Sequence, residues 1–300
     1  VKTFVRGFLA LVVLAVATPG LATESTVEVL SNGSGARRVL SFTPTKGATQ
    51  TDKMTMTMGM AMEMGGREMP PNNMPAMVMV MQTTIDDVAA NGDITYSFVL
   101  TDATVEETEG VNPMVMAPMR AQLAQLVGLK GSSTTTAQGR VLSGNFEPPD
   151  GADPAIKEMY TRMESSLGQM SAPLPDKKVG QGAQWLLRQK ITNQGMTIDQ
   201  NVTYTLDSLS GDDMELSMVL TQTADPQAIE APGMPPGGSA RLLSLDTSGT
   251  GKLKMNLGTI LPTESNVDTK SNMKMSVSAD GQSMEMGMKM DMRMELALQE

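Results

Sequence analysis

Six methionines at strict two-residue spacing constrain this chain more than any other feature. Met284, Met286, Met288, Met290, Met292 and Met294 alternate with Glu285, Gly287, Lys289, Asp291, Arg293 and Glu295. A helix of 3.6 residues per turn would scatter them around its circumference, whereas a β-strand puts every second side chain on one face. The segment therefore reads as a strand with a thioether face and a charged face. Met54, Met56, Met58, Met60, Met62 and Met64 repeat the pattern, and Met77, Met79 and Met81 give a shorter version.

Ordinary residues carry the same period elsewhere. Ile94, Tyr96, Phe98 and Leu100 alternate with Thr95, Ser97 and Val99; Val202, Tyr204 and Leu206 alternate with Thr203 and Thr205; Met214, Leu216, Met218 and Leu220 alternate with Glu215, Ser217 and Val219. Asn91-Gly92, Gln194-Gly195, Ser210-Gly211-Asp212 and Asp280-Gly281 are turn signals. Such strands and turns predict antiparallel pairing with one buried face. Asp153 and Pro154 open a helical pattern that runs to Met170, and a second, shorter helix is expected over Pro118–Leu129. Thr247–Gly251 (TSGTG) lacks the Gly-Lys-Ser/Thr ending of a phosphate loop and reads as a β-turn.

The chain also resembles itself. Thr84–Thr101 (TIDDVAANGDITYSFVLT) aligns with Thr205–Thr221 (TLDSLSGDDMELSMVLT) with one gap. Gly47-Ala48 and Gly182-Ala183 precede the two segments, and Gly139-Arg140-Val141 and Gly251-Lys252-Leu253 follow them. Matches in the same order predict an internal duplication. The expected organisation is a signal peptide at 1–22, a lead-in at 23–37, a first β-rich repeat at 38–146, a helical linker at 147–177 and a second repeat at 178–298. The expected fold is mainly β (α+β): a large curved antiparallel sheet or half-barrel from two similar halves, with one or two helices packed on an apolar face.

Lys2 and Arg6, the apolar run Gly7–Ala17 and the small residues Gly20 and Ala22 have the layout of a removable export signal. The run falls short of the roughly 20 apolar residues a spanning helix needs, so no transmembrane segment is expected once it is removed. A periplasmic or secreted location follows. Removing residues 1–22 takes away Lys2 and Arg6, so 23 cationic residues become 21 against 33 acidic ones, and a net charge of −10 becomes −12. That surplus disfavours nucleic acid, whose phosphates need Lys and Arg clusters. Oligomeric state is not encoded in any pattern, although an uncovered C-terminal strand would offer an edge to another copy.

The stretch Leu174-Pro175-Asp176-Lys177-Lys178-Val179-Gly180-Gln181-Gly182-Ala183-Gln184-Trp185, followed by the Tyr204 strand, resembles a family of exported bacterial proteins of unknown function. Its members share a Leu-Pro, Val, Gly, Trp signature between two similar β-rich halves. The resemblance implies an envelope or secreted location and assigns Leu174, Pro175, Val179, Gly182 and Trp185 a structural role. The architecture also resembles, distantly, the open half-barrel of periplasmic lipoprotein carriers.

Enzyme chemistry finds few groups to work with. The chain has no His and no Cys, which removes the commonest general base, thiol nucleophiles and thiolate metal sites. Adjacent acids such as Asp86-Asp87, Glu106-Glu107 and Asp212-Asp213 would point to opposite faces of a strand. The expectation is a non-catalytic protein without a cofactor.

The 30 methionines, against five Phe, three Tyr and one Trp, leave three readings. The stripes fill a core, methionine being apolar and adaptable. Alternatively, Met54, Met56, Met58, Met60, Met284, Met286, Met288 and Met290 line a soft face that accepts a lipid, another apolar ligand or a partner. Thioethers also suit Cu(I), and the loop methionines Met69, Met74, Met114 and Met116 are the candidate ligands.

Overall fold

The computed structural model describes residues 25–70, 72–107, 111, 113–148, 172–193, 196–229, 238–279 and 282–299. The expected signal peptide and the expected helix at 153–170 lie outside the described residues. The elements are β1 (Ser25–Ser31), β2 (Ser34–Arg38), β3 (Thr49–Met64), β4 (Arg67–Glu68), β5 (Asn72–Asn73), β6 (Ala76–Val88), β7 (Ile94–Glu106), α1 (Pro113–Ala124), β8 (Lys130–Thr135) and β9 (Val141–Glu147). They continue with β10 (Val179–Gln181), β11 (Gln184–Asn193), β12 (Met196–Ser210), β13 (Asp213–Ala224), β14 (Gln227–Ile229), β15 (Ser239–Asn256), β16 (Glu264–Ala279) and β17 (Gln282–Leu298).

Fifteen strands form one sheet in the order β1-β11-β12-β13-β15-β16-β17-β3-β6-β7-β8-β9, with β4 and β5 beside β3 and β14 beside β15; β2 and β10 pair separately. All ladders are antiparallel, and β1 and β9 end the series, so the sheet does not close into a barrel. The fold is mainly β, as the alternating patterns require. The C-terminal strand is not an edge. β17 lies between β16 and β3, because its methionine face matches that of β3 residue for residue.

Opposed residues in a ladder share a face, so the registers define two surfaces. Trp185, Tyr204, Met218, Gly251, Val267, Met294, Met56, Met77 and Val105 form one continuous row from β11 to β7. The methionine stripes thus share an inner face with the aromatic and aliphatic core. One core cluster draws Ile85 and Ile94 of β6 and β7 together with Trp185, Tyr204 and Leu216 of β11–β13, strands far apart in the sheet order. The sheet curls at that end around Leu40, Phe42, Leu174 and Leu257. Backbone bonds pin this plug on two sides: Phe42 N donates to Ala137 O at 2.7 Å, and Thr43 N to Leu257 O at 2.6 Å.

The two strands that follow the Gly-Ala pairs begin in the same way. Gly47 N donates to Ile85 O (2.8 Å), Ala48 N to Thr45 O (3.0 Å) and Ile85 N to Ala48 O (2.9 Å). At β11, Gly182 N donates to Leu206 O (2.7 Å), Ala183 N to Gly180 O (3.0 Å) and Leu206 N to Ala183 O (2.9 Å). Gly47 and Gly182 have φ of 81° and 76°, a region open to glycine without steric penalty. A bulge follows Ile85 in β6 and Leu206 in β12, and the next residue accepts a serine hydroxyl in each case: Ser97 on Asp86 at 3.0 Å, Ser217 on Asp207. The third landmark differs. Gly139 sits in the β8–β9 turn with φ of 77°, whereas Gly251 is internal to β15.

Two local expectations are corrected. Thr247–Gly251 is part of β15 rather than a turn. Its hydroxyls pair across the sheet (Thr247 Oγ1 to Ser271 Oγ, 2.8 Å), and a Cβ on Gly251 would lie 2.9 Å from the Met218 side chain, which already fills that space. The shorter helix starts at Pro113 and contains Pro118. A proline here forfeits only a bond to the carbonyl of Met114, an exposed residue in the first turn.

Candidate functional site

Helix α1 lies across the methionine part of the inner face. Its Met119 is buried with Met56 of β3, Met77 of β6 and Val105 of β7, and Val115, Met116 and Leu123 of the helix, Met74 from the loop before β6, and Met292 and Met294 of β17 pack against that cluster. The i, i+3, i+4 spacing of Val115, Met116 and Met119 puts them on one side of the helix. Seven thioethers therefore meet in one layer between a helix and a sheet. Leu123 near the helix end, and Leu126 and Leu129 in the turn that follows it, continue the cover over Phe98, Leu100 and Ala103, beside Met79 and Met81.

The choice of methionine has a free-energy consequence. Fixing a buried Met costs about 1.5–2 kcal/mol of rotamer freedom against about 0.5–1 for Leu or Ile. A rigid core would favour the cheaper residues, as the Trp185 cluster does with Leu187, Val202, Leu206 and Leu216, although it also holds Met214, Met218 and Met255. A layer of Met is worth that difference where the packing must accommodate more than one arrangement.

The stripe residues differ in exposure along the sheet. Met56, Met58, Met60 and Met286 are buried, Met54, Met288 and Met290 half-buried, and Met284 is 49 % exposed. Met286, Met288 and Met290 of β17 stand directly opposite Met64, Met62 and Met60 of β3, so these residues form a ladder of thioether pairs. Of the four methionines expected in loops, Met114 and Met116 lie instead in α1; Met74 and Met116 join the layer between α1 and the sheet, whereas Met69 is 39 % and Met114 83 % exposed. Among the described residues, no three Asp or Glu side chains gather as metal ligands.

One charge lies on the inner face. Asp52 occupies the position before Met54 in the stripe, only 1 % exposed, opposite Met81 on one side and Leu298 on the other. Gln50 Nε2 donates to its Oδ1 at 2.8 Å and also to Pro262 O at 3.3 Å. Asp52 Oδ2 and the buried Thr83 Oγ1, one register step away on β6, have no hydrogen-bond partner. Burial holds the Asp52 carboxyl above the ordinary carboxylate range, against the opposing pull of the Gln50 hydrogen bond. A carboxylate on the parity of the methionines, where every other residue from Met54 to Met64 is apolar, is the signal by which the sequence marks this position.

The other face is polar. A groove of about 610 Å³ crosses β13, β15, β16, β17 and β3. Its lining contains the outer rows Val219–Thr250–Asp268–Arg293–Thr57 and Thr221–Ser248–Lys270–Asp291–Gly59, the inner row Leu220–Gly249–Thr269–Met292–Met58 between them, and Asn73 and Met74. Arg293 meets Asp268 at 2.7 Å and 3.2 Å, and the guanidinium holds that carboxyl below its usual range. The adjacent acids singled out in the sequence serve local structure: Asp87 pairs with Lys46 at 2.9 Å, and Asp212 with Arg38 at 3.3 Å.

The signature residues build the end plug. Leu174 and Val179 are fully buried with Pro175, and Trp185 donates from Nε1 to Pro173 O at 3.0 Å while stacking on Tyr204 at 5.6 Å. Residues 160–262, which contain this stretch and β10–β15, match a family of unknown function, DUF6263. No curated protein matches the chain. Solved structures show only faint likeness. The outer membrane protease OmpT from Escherichia coli is 12 % identical over 87 % of this chain and 99 % of its own, with a TM-score of 0.22. Pseudomonas aeruginosa OpdL is 8 % identical over 83 % and 99 %, with a TM-score of 0.21. Scores this low carry no argument about fold or function. Among the described residues no helix is long and apolar enough to cross a membrane.

Proposed function

We propose that the chain is an exported, non-catalytic protein of the periplasm or cell exterior that holds an apolar chain between α1 and the methionine floor of β3, β6 and β17. The observation that carries this reading is the layer of seven thioethers in which α1 meets the sheet. Thioether side chains repack around different apolar shapes, and among the described residues one short helix, with Met74 of the loop before β6, lies over the layer. Two similar halves, 38–146 and 178–298, form the scaffold, a reading supported by the matched turns at Gly47 and Gly182 and the matched bulges after Ile85 and Leu206. Native mass spectrometry of the protein purified from its own envelope tests the reading. A co-purifying lipid or other apolar molecule, released when α1 is deleted, is the expected result; a ligand-free protein that also takes up no added lipid contradicts it.

Copper(I) is the second reading, and the meeting of Met74 and Met116 with five further thioethers favours it. Titration under reducing conditions then gives stoichiometric binding that competes with a chelator. Binding no tighter than that of an unfolded methionine-rich peptide leaves the apolar-ligand reading and the filled core.

A further inference from the structure

We propose that the molecule held beneath α1 is a single-chain amphiphile with a protonated amine at its head, seated against Asp52 and Thr83. This rests on the ligand site proposed above and names its polar end. The registers place Asp52 opposite Met81, Met54 opposite Met79, and Met56 opposite Met77. A chain lying along β3 and β6 from Asp52 thus passes Met54 and Met79 and then reaches Met56 and Met77 beneath the helix, at about 6.6 Å per two residues. Leu298 and Leu100 complete the Asp52 row, and the inner-face polar neighbours at this end are uncharged: Gln50, Thr83 and Ser265.

Two oxygens at this end are unpartnered. Asp52 Oδ2 and Thr83 Oγ1 are both buried, and Gln50, the nearest donor, is already shared between Asp52 Oδ1 and Pro262 O. The neighbouring cation, Lys53, points to the opposite face and pairs with Glu106 at 3.7 Å. A buried carboxylate with no cation is strongly unfavourable, and a matching charge with hydrogen-bond donors relieves it. An ammonium head carries three donors and one positive charge. It has a donor to offer each oxygen and a charge to offset that of Asp52. An alcohol supplies one donor and no charge, and a carboxylate head adds like charge to Asp52.

The test compares dodecylamine, dodecanol and laurate, each below its aggregation concentration, binding to the full chain by calorimetry. The expected order is dodecylamine first, at least tenfold tighter than dodecanol, with laurate weakest. D52N, an isosteric change, is expected to bring dodecylamine down to the level of dodecanol while leaving dodecanol unchanged; T83V weakens the amine by a few-fold. D268N, on the opposite face, reports the general attraction of an acidic surface and is expected to leave the order intact. Equal binding of all three probes, or an amine preference that survives D52N, overturns the amine head while the site beneath α1 stands. If none of the three binds, the site itself fails and the head-group assignment falls with it.

Discussion

The inner face is packed by two different means. Around Trp185, Leu, Val, Ile, Tyr and Trp outnumber the three methionines Met214, Met218 and Met255, the indole is hydrogen-bonded, and the plug segments are tied by backbone bonds to Ala137 and Leu257. Beneath α1 the same rows continue into thioethers covered by one short helix. The first region is packed mainly by side chains with few rotamers, the second by side chains with many. A chain that needed only stability would gain by extending the first kind of packing across the whole face, because each Leu or Ile loses less rotamer freedom than a Met. The proposed adaptability belongs to the region beneath α1.

The largest effect separates the two regions outright. Trp185→Ala removes the stacked, hydrogen-bonded anchor of the plug and is expected to cost about 3–5 kcal/mol in urea unfolding. Met119→Ala is expected to act locally instead, raising amide exchange over 113–124 while β11–β13 keep their protection. Equal loss of protection in both places would mean that α1 is part of the rigid core.

A smaller effect sharpens the comparison. Met56→Leu with Met77→Leu conserves volume and is expected to change stability by less than about 1.5 kcal/mol, yet to narrow the range of chain lengths the protein accepts. A large stability loss would show that the thioethers are already in a unique jigsaw packing.

The third prediction follows from Asp52. Its folded-state carboxyl titrates above the ordinary range because of burial, so the folded state carries no penalty at low pH and loses stability as pH rises through the elevated value. Asp52→Asn removes this dependence. The variant is expected to match the wild type in acid and to exceed it increasingly towards neutral pH, measured by thermal unfolding without ligand. A gap that opens in acid would reverse the account. Smallest of all, Asp268→Asn breaks an exposed ion pair on the opposite face and is expected to leave the unfolding midpoint unchanged.

Much of the architecture was legible in the period of the side chains. Strict alternation places Met54–Met64, Met77–Met81 and Met284–Met294 in β3, β6 and β17. The order of strands was not legible, since β17 pairs with β3 across most of the chain and no local signal reports such a partner. Gly249 and Gly251 look like turn residues until the side chains of Leu220, Met218 and Val267 are seen packed close against them. β1 fell in what reads as a lead-in, because an edge strand with exposed Ser, Glu and Leu carries a weak pattern. Helix α1 starts before Pro118, the usual marker of a helix start, so Val115 and Met116 joined the site only in three dimensions. Asp52 was readable in principle: a lone charge on the apolar parity of a stripe.

The most direct test of the central claim is to map where an apolar probe binds. A diazirine-bearing dodecanol is photolysed on the full chain and the labelled peptides are identified by mass spectrometry. Labels on Met56, Met77, Met119, Met292 and Met294 are the predicted result. Labels confined to Val219, Thr250 and Thr57 on the opposite face would contradict it.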